Sequence, residues 1–395
     1  MATDTTTFTM GVAHAGVFSR DELSAGSTSL LGVLLTGESV SDKREFVQSQ
    51  TMDPNLQGQV TDNNLVKRNG PGGWDFEERF PAAGLGSEVL FQAKMRSTFN
   101  TVTETGVDIA AATAPNSFTS AGIDLSQYNP GDRILVTGFP NPANQGHFFV
   151  LASDTDSVTV DRDLSIEAAG PSVTIRSESI RNGLTTRPIV HEKGFDTDGT
   201  LDRWHSPSSV VTSWNTNFEL NQQGKGNISL VGAPIYHTTD PIQNGALGDS
   251  GAFSPFVSTG LGDFRLDGVS SPTRHISSVK LDVNLNARLQ EELGNIAPFG
   301  TGEGDFLITG SLTNYFEAGG VGLYALYDQD TEFHLSFSAT DKAGNILVFD
   351  LPRAKLTDYP VTAGGKNTDI MPTATFMAMA HQVYGYTLRV SRFAV

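Results

Sequence analysis

The sequence predicts an all-β chain with a few short helices, because two features typical of strands recur along it. Apolar and polar residues alternate with a period of two in segments such as "SVKLDVNLN" at 278–286, the pattern of half-buried antiparallel strands. Glycine is frequent, with 41 residues, and threonine, serine and asparagine are plentiful, which suits strands joined by many turns. Helical spacing is confined to 87–95 and 322–328, too little to supply the crossover helices of a parallel sheet.

The first elements lie before residue 105. A strand-like stretch at 29–51 is followed by a long polar loop at 53–73. The strand after this loop places aromatic residues on one face and charged residues on the other: Trp74, Phe76 and Phe80 against Asp75, Glu77 and Arg79. A helix is predicted over 87–95, with Ser87 as its N-cap.

Residues 105–182 differ from their surroundings. They carry short β segments, "DRILVTGF", "GHFFVLA", "SVTVDR" and "SVTIRS", separated by the turn sequences "YNPGD" and "NPANQG". We therefore predict an inserted small β-sandwich domain of immunoglobulin-like type in this range.

The segments on either side of this insert resemble one another in pattern. After it, strands are predicted at 187–193, 210–220 and 227–232, with Trp214, Thr216, Phe218 and Leu220 on one face. A second series then follows, with apolar Val279, Leu281, Val283 and Leu285 facing inward. Its predicted elements are a strand at 275–286, a loop at 289–303, a strand at 305–315, a helix at 322–328 and strands at 332–340, 345–351 and 374–392. The order of strand, long loop, strand, helix and strands thus occurs twice, which indicates an internal repeat.

The repeat and the insert together predict four parts. They are an N-terminal arm at 1–24, a first β unit at 25–104 and 183–265, the inserted domain at 105–182 and a second β unit at 266–395.

The composition excludes several classes of function. Lys and Arg number 26 against 44 Asp and Glu, a formal net charge of −18, which argues against tight binding to nucleic acid or to an anionic membrane. The chain has no cysteine, so disulfides, zinc–thiolate sites and thiol nucleophiles are excluded. The first residues have no basic segment followed by an apolar one, and no apolar run reaches the roughly 20 residues of a membrane span, so a soluble protein without a signal peptide is expected.

The segment "GFDTDGTLDRWH" at 194–205 resembles the nucleophile motif of haloacid-dehalogenase-like phosphatases, with Asp196 in the nucleophile position. That chemistry needs a buried parallel strand before the aspartate and a helix after it. The preceding "PIVHEKG" and the following "RWHSPSS" indicate neither. The pattern predicts instead an aspartate-rich turn that leads into the strand at 210.

Two further motifs resemble functional sites. "GDSGA" at 248–252 resembles the nucleophile loop of trypsin-like proteases, but no upstream histidine lies in the sequence context expected for a base to Ser250. Asp196, Asp198 and Asp202 could approach a calcium ion, yet the spacing lacks the glutamate that ends an EF-hand loop. No catalytic residue, cofactor or metal site is predicted.

Four stretches together resemble the tail tube proteins of siphophages, the phages with long non-contractile tails. They are "LLTGESVSDKREFVQSQTM" with the helix "SEVLFQAKMRSTFN", the insert "IDLSQYNPGDRILVTGF", the phrase "SSVVTSWNTNFELNQQGKGNISLVGA", and "GDFLITGSLTNYF" with "ILVFDLPRAKLTD". The resemblance covers nearly the whole chain. It implies a structural virion protein whose inner strands close a continuous β-barrel in each ring, with two such tail-tube-like units and the insert in this chain.

The resemblance also implies partners and location. We expect the protein to be made in the host cytoplasm and to become part of the virion tail. There it would contact copies of itself, the tape measure and the tail terminator, and it would let DNA pass without specific binding. Because this chain holds two units, three chains are expected to form a ring with approximate sixfold symmetry. No membrane is expected to take part.

The lining of the channel and the contacts between rings can be predicted from residue patterns. Strands at 44–50, 74–80, 279–286 and 305–315 are the candidate inner strands, and Asp75, Glu77 and Asp282 are the candidate lining residues of a negatively charged channel. The loops at 53–73 and 289–303 exceed the ~12–15 residues usual in compact domains, so both are expected to reach the neighbouring ring, as the corresponding loop does in the family. The candidate contact residues in them are Asp53, Asn63, Lys67, Arg68, Glu291 and Glu292.

Two other parts have expected positions. The N-terminal arm is expected to dock on a neighbouring chain. The insert is expected to lie outside the tube, so that its excision spares assembly.

Two other classes of function remain as alternatives. A secreted or surface β-sandwich adhesin that binds carbohydrate would share the strand patterns, but it would not form filaments. A hydrolase built on Asp196 or Ser250 is disfavoured by the missing partners.

Overall fold

A computed structural model of the chain describes residues 8–50, 62–197, 200–251, 253–266, 269–270, 275–316, 321–363 and 365–394. Within those ranges it confirms an all-β fold with two short α-helices. Neither helix is long and apolar enough to cross a membrane.

The described residues of the first part of the chain, 8–50 and 62–95, form six strands and one helix. They are β1 (Phe8–His14), β2 (Leu31–Gly32), β3 (Gly37–Glu38), β4 (Lys43–Gln48), β5 (Asn63–Asn69), β6 (Gly73–Glu77) and α1 (Gly86–Met95). The helix confirms the periodicity at 87–95, but its N-cap is Leu85, without a side-chain hydrogen bond. Ser87 lies inside the first turn, so its prediction as the cap is wrong. Glu88 Oε2 accepts a hydrogen bond from the backbone N of Gly84 (2.7 Å), which stabilises the chain just before the helix.

The predicted insert folds as seven strands and a 3-10 turn at Pro142–Asn144. The strands are β7 (Asn100–Gly106), β8 (Ala110–Thr113), β9 (Asn116–Thr119), β10 (Arg133–Thr137), β11 (Gly146–Ser153), β12 (Ser157–Val160) and β13 (Val173–Arg181). β7 and β13 pair antiparallel from Asn100 opposite Ser179 to Gly106 opposite Val173, so the chain enters and leaves side by side. A separate cluster of buried side chains between Val102 and Ile175 includes Phe118 and Phe148, whose ring centroids lie 5.1 Å apart.

Between the insert and the second unit, the described part of the chain forms six strands. They are β14 (Ile189–Thr197), β15 (Thr200–Glu219), β16 (Lys225–Gly232), β17 (Tyr236–Thr238), β18 (Leu261–Leu266), which follows a 3-10 turn at Ser258–Gly260, and β19 (Val269–Ser270). β15 begins ten residues before the predicted position 210, and it ends at Glu219. Trp214, Thr216 and Phe218 are buried as predicted, whereas Leu220 is 53% exposed because it lies beyond the strand.

The second unit repeats the order of elements in the first. Its elements are β20 (Ile276–Asn284), β21 (Arg288–Gln290), β22 (Gly300–Gly302), β23 (Leu307–Asn314), α2 (Val321–Asp328), β24 (Glu332–Thr340), β25 (Ile346–Asp358), β26 (Thr373–Ala378) and β27 (Arg389–Phe393).

Strand pairing shows how closely the two series correspond. In the first, β3 pairs with β6, β6 with β16, β16 with β15, and β15 with β14. In the second, β20 pairs with β23, β23 with β26, β26 with β25, and β25 with β24. In each series a short hairpin (β4–β5 or β21–β22) separates the first two strands and a helix follows the second. Therefore β3, β6, β16 and β15 correspond to β20, β23, β26 and β25.

The two series are joined edge to edge, because β15 also pairs with β20. The strand order β3–β6–β16–β15–β20–β23–β26–β25 is therefore continuous; we call these eight strands the wall. One buried cluster, from Met10 to Val390, covers the inner face of the wall and includes residues of both units. The units share this core, while the boundaries predicted at 104/105, 182/183 and 265/266 stay predictions.

One expectation from sequence is corrected by this pairing. The stretch at 44–50 is not a strand of the wall, because β4 pairs with β5 in a separate two-stranded sheet. In the N-terminal arm, β1 pairs with β14 of its own chain along its whole length, and docking of the arm on a neighbouring chain stays a prediction. Residues 1–7 lie outside the described residues.

Candidate functional site

The face of the wall that points away from the buried core carries rows of polar side chains, which run across the strands. Cross-strand pairing aligns five of them in one row across five strands: Asp75, Asn227, Asn215, Asp282 and Thr309. All five are at least partly exposed. Two of the three candidate lining residues, Asp75 and Asp282, therefore lie in the same row although more than 200 residues separate them in sequence.

A second row lies two residues further along each strand. It contains the third candidate, a glutamate, and two lysines: Glu77, Lys225, Asn217, Lys280 and Ser311. Side chains two residues apart in a strand share a face, so the two rows form one surface, which we call the polar face.

The inner face of the same strands is apolar. The row next to the first polar row, on the side away from the second, places Trp74, Ile228 and Trp214 beside Val283 and Ile308, all at most 2% exposed. The alternation fixes the register, because a slip of one residue would bury the polar rows and expose both tryptophans. Trp214 Nε1 also donates to the backbone O of Lys94 (3.1 Å), which ties the wall to α1.

Each candidate acid on the polar face has a partner. Asp75 Oδ1 accepts a hydrogen bond from Asn227 Nδ2 (2.6 Å), and Asp282 Oδ1 lies 2.9 Å from Lys280 Nζ. Glu77 Oε2 lies 2.7 Å from Arg79 Nη2. The first row continues through Met377 to Lys355 of β25, so the polar face carries three lysines, Lys225, Lys280 and Lys355, beside its three candidate acids. The polar face is thus rich in amides and hydroxyls, with charges of both signs. Asn215, Asn217 and Asn227 were not among the predicted site residues, although their alternation with Trp214 and Ile228 is visible in the sequence.

The two loops predicted to contact a neighbouring ring are hairpins that lie against each other. Lys67 Nζ of the first hairpin (β4–β5) lies 2.8 Å from Glu291 Oε1 of the second (β21–β22). The backbone N of Arg68 donates to the backbone O of Ile296 (2.7 Å). The hydrogen bond to Glu291 raises the pKa of Lys67 above its usual value.

The other candidates in these hairpins have different surroundings. Arg68 Nε lies 2.9 Å from Asp42 Oδ1, and Glu292 Oε1 lies 2.8 Å from Arg20 Nη1, which lowers the pKa of Glu292. Asn63 is exposed in β5 opposite Gln48. Asp53 lies outside the described residues. Lys67, Arg68, Glu291 and Glu292 therefore hold the hairpins to their own chain.

Exposed apolar side chains mark the same two hairpins. Those of the first are Phe46 (51% exposed), Val47 (56%) and Val66 (45%). Those of the second are Leu293 (104%), Ile296 (43%) and Phe299 (48%). The sequence signal for them was apolar residues inside otherwise polar loops, "REFVQSQ" and "LGNIAPF". We call these six residues the hairpin patch.

The opposite end of the wall strands also exposes apolar residues. Tyr315 and Phe316 follow β23 and are 36% and 42% exposed. Val361 (41%) and Met371 (40%) lie in the segment between β25 and β26. Backbone hydrogen bonds hold this end together, since the N of Phe316 donates to the O of Ile370 (2.9 Å). We call these four residues the far-end patch.

The enzyme-like motifs are accounted for by local structure. Asp196 belongs to β14, where its backbone pairs with that of Leu201, so residues 194–197 and 200–205 belong to two paired strands and not to a loop before a strand. Its side chain and Asp198 lie outside what is described. Asp249 Oδ1 accepts a hydrogen bond from the backbone N of Gly251 (2.9 Å), which makes a turn of "GDSGA". No cluster of metal-ligating side chains occurs within the described ranges.

The comparisons with known proteins agree with this architecture. The sequence matches the family described as phage tail tube protein over residues 4–378. No curated protein matches it.

Proposed function

Because the chain belongs to the phage tail tube protein family, we propose that copies of it close into rings that stack into a channel for the phage genome. Membership makes the protein a structural component of the virion tail, and members of this family are structural rather than enzymatic. The match does not favour the alternative of a carbohydrate-binding adhesin.

The observation that carries the proposal is the wall. The wall has eight strands, with a shared apolar core on one face and a polar surface on the other, as in the wall of a water-filled barrel. A barrel must also be closed, and symmetry-related copies of the chain would close it. Since one chain holds two corresponding series of four wall strands, three chains would give a ring with true threefold and approximate sixfold symmetry.

The polar face is the surface that would line the channel. Asp75, Glu77 and Asp282 would each repeat three times in a ring, among asparagine, serine and threonine side chains and the lysines Lys225 and Lys280. Phosphates are repelled by such carboxylates within a screening length of roughly 8 Å at physiological salt. Neutral amides bind phosphate weakly compared with arginine or lysine, so DNA would slide without being held.

The two apolar patches suit head-to-tail stacking. The hairpin patch and the far-end patch lie at opposite ends of the wall strands, so the hairpin patch of one ring would meet the far-end patch of the next. Such a heterologous contact between different surfaces continues indefinitely along an axis, as a tube requires.

The other proposed partners are those that a protein of the tail tube would contact in the virion. The tube would contact the tape measure inside and the tail terminator at its end, after synthesis in the host cytoplasm. No cofactor and no membrane enter the proposed assembly.

Electron microscopy of the purified chain tests the proposal. We expect hollow tubes or stacked rings, whose class averages show three identical chains per ring. A chain that stays monomeric across protein concentration and salt would overturn the proposed assembly. Six chains per ring would retain the tube but reject the trimer.

A further inference from the structure

The two helices end in the same backbone turn. After α1, the N of Arg96 donates to the O of Ala93 (3.4 Å), and after α2, the N of Asp330 donates to the O of Tyr327 (3.2 Å). Arg96 and Asp330 both have the left-handed conformation, with φ of 51° and 55°. In each turn the following backbone N donates to the carbonyl five residues before it, as in a Schellman motif. The two helices can therefore be aligned residue by residue from these ends.

The aligned faces of the two helices differ in exposure. Leu90 and Ala93 of α1 are 6% and 3% exposed, whereas Tyr324 and Tyr327, which occupy the same positions in α2, are 48% and 39% exposed. Residues three apart are neighbours on a helix surface, so the two tyrosines form one exposed aromatic strip. Tyrosine is enriched where proteins meet, which makes this strip a candidate contact surface.

The end of α1 is held against the second unit of the same chain. Arg96 donates from Nη2 to the O of Leu285 (2.6 Å) and from Nη1 to the O of Gly304 (2.9 Å). These two carbonyls lie at the base of the second hairpin, just after β20 and just before β23. Arg392 of β27 also reaches α1, with Nη2 2.8 Å from Oε1 of Glu88. Therefore α1 lies at the junction of the two units.

The counterpart of α1 in the second unit lies at the end of the wall. Oδ2 of Asp330 is 2.6 Å from Nζ of Lys355 in β25, which is the last strand of the wall. No further unit follows β25 in the wall of the described chain. The unit that would cover α2 as the second unit covers the end of α1 therefore belongs to a second copy of the chain.

The alignment also shows which part of the second copy this is. Thr309 precedes Asp330 by as many residues as Asp75 precedes Arg96, and Thr309 and Asp75 lie in the same polar row. Asp75 is opposite Gly37 of β3, as Thr309 is opposite Asp282 of β20. The carbonyls that Arg96 binds thus have counterparts at the base of the first hairpin: Val40 for Leu285 and Gly70 for Gly304. We call residues 40–44 and 68–70 the first hairpin base.

The backbone of the first hairpin base needs no arginine from a neighbour. The O of Val40 accepts a hydrogen bond from Nζ of Lys193 (2.7 Å), and the O of Gly70 accepts one from the N of Gly232 (3.0 Å). In agreement with this, the residue that follows α2 is an aspartate, where an arginine follows α1. A contact at this place would depend on side chains.

The charges of the two surfaces are complementary. The first hairpin base has three basic residues, Lys43, Arg44 and Arg68, and one acid, Asp42, which lies 2.8 and 2.9 Å from the two arginines. Lys43 and Arg44 are exposed. The end of α2 has the exposed acids Asp328 and Asp330, and within the described part of the chain Asp328 has no ion pair. Opposite charges across an interface favour the correct partner and orientation.

We propose that the acidic end of α2 docks on the first hairpin base of a second copy, and that the same copy covers Tyr324 and Tyr327. The inference rests on the proposed ring assembly and identifies a contact between side chains, outside the wall strands, that holds neighbouring chains in register. It is the counterpart between chains of the contact that Arg96 makes within one chain.

Reversal of the charges on each side tests the contact. The helix variant is Asp328→Lys/Asp330→Lys, the hairpin variant is Lys43→Glu/Arg44→Glu, and a combined variant carries all four changes. The matched control, Asp154→Lys/Asp156→Lys, reverses two exposed acids of the insert. Sedimentation measures the protein concentration needed for assembly, and denaturation of the unassembled chain shows that each variant folds.

The helix variant and the hairpin variant should each raise the concentration needed for assembly by about tenfold or more, because like charges would then face each other. The combined variant should recover most of this loss, since its charges are again opposite, and the control should assemble as the unmodified chain does. Recovery separates this contact from an effect of the hairpin variant on stacking, which changes on α2 would not repair.

A cross-link provides a second measurement that needs no charge reversal. The chain has no cysteine, so Asp328→Cys/Lys43→Cys introduces the only two thiols. In assembled protein treated with a short bis-thiol reagent, we expect covalent species of two and three chains, which the two single-cysteine variants should not give beyond two.

Two results would overturn the docking and leave the ring proposal intact. One is a helix variant that assembles at the concentration of the unmodified chain, and the other is a combined variant that assembles no better than the hairpin variant. Normal tubes of the cysteine variant without a cross-linked product would have the same meaning. Absence of rings and tubes from the unmodified chain would overturn the proposed function, and this inference with it.

Discussion

In the insert, Nη2 of Arg133 lies 3.1 Å from Oδ1 of Asp350 in β25. The side chains of Arg133 and Asp350 are 1% and 0% exposed. In a second buried pair the aspartate belongs to the insert: Nη1 of Arg389 in β27 lies 2.7 Å from Oδ1 of Asp132. The nearby arginines hold the pKa of Asp350 well below its usual value, although burial alone would raise it. The insert is therefore joined to the second unit by buried charges. Excision of the insert would remove both of these partners, and the expectation that excision spares assembly stays a prediction.

The first prediction concerns this contact. Arg133→Met should lower the free energy of unfolding by about 3–5 kcal/mol, because it leaves the carboxylate of Asp350 buried without its nearest partner. Arg133→Met/Asp350→Leu should recover much of that loss, because no buried charge is left in this pair. Arg353→Met, which breaks the exposed pair with Glu332, is the control and should cost at most about 1 kcal/mol. Chemical denaturation measures all three. Equal losses in the buried and exposed variants would contradict the proposed strength of the contact.

The second prediction concerns pH. Burial, with smaller effects from Lys193 and His205, lowers the pKa of His191 to about 3. Between pH 6.5 and about 3 the unfolded chain therefore binds a proton at this position that the folded chain does not. Stability is complete above pH 6.5 and should fall as pH decreases, by up to about 1.4 kcal/mol per pH unit.

The variant His191→Phe should reduce this slope in denaturation curves measured between pH 6.5 and 4. It keeps an aromatic ring edge-on to Trp74, whose centroid lies 5.3 Å away. His237→Gln, at an exposed position, should leave the slope unchanged. An unaltered slope in His191→Phe would show that another group carries the pH dependence.

The third prediction concerns stacking. Phe46→Asp/Leu293→Asp places charges in the hairpin patch, where a neighbouring ring would desolvate them, so tube formation should be lost while the folded subunit keeps its stability. Ile166→Asp, an 80% exposed position in the insert, is the matched control and should form tubes. Electron microscopy and sedimentation measure the outcome. Normal tubes from the hairpin variant would exclude the patch from the contact between rings.

The fourth prediction concerns the channel lining. Asp75→Lys/Asp282→Lys should allow tubes to form but slow genome release, because lysines in one row of the polar face would attract phosphates. Asp154→Lys/Asp156→Lys makes the same change in charge on an exposed loop of the insert and should release DNA at the normal rate. The measurement is DNA ejection from phage carrying each variant. Equal rates for the two variants would argue that the polar face does not line the channel.

The fifth prediction concerns the enzyme-like motifs. Asp196→Asn and Ser250→Ala should leave assembly and infectivity unchanged, because a β-hairpin and a turn account for the two segments. Plaque counts and electron microscopy provide the measurement. Normal tubes with lost infectivity in either variant would indicate chemistry at that residue.

Much of the fold could be predicted from local sequence patterns. The period of two identified the buried faces of β6, β15 and β20, and it placed Asp75 and Asp282 on the opposite face. The helices at 87–95 and 322–328 and the repeated order of elements were also predicted correctly. These features depend on neighbouring residues in the chain, since alternation in a strand and spacing in a helix are local geometry.

Long-range pairing was decided by the tertiary structure alone. Alternation cannot distinguish a strand of the wall from one of an isolated hairpin, so 44–50 was placed wrongly. It also could not predict that Asp75 and Asp282 share a row, that Lys67 meets Glu291, or that Arg133 is buried against Asp350. Each of these contacts joins residues far apart in sequence, and each depends on which edges pair and in which register. The sequence by itself determined which face of each strand is exposed to solvent. The pairing of the strands in three dimensions determined which of these exposed faces together form one surface.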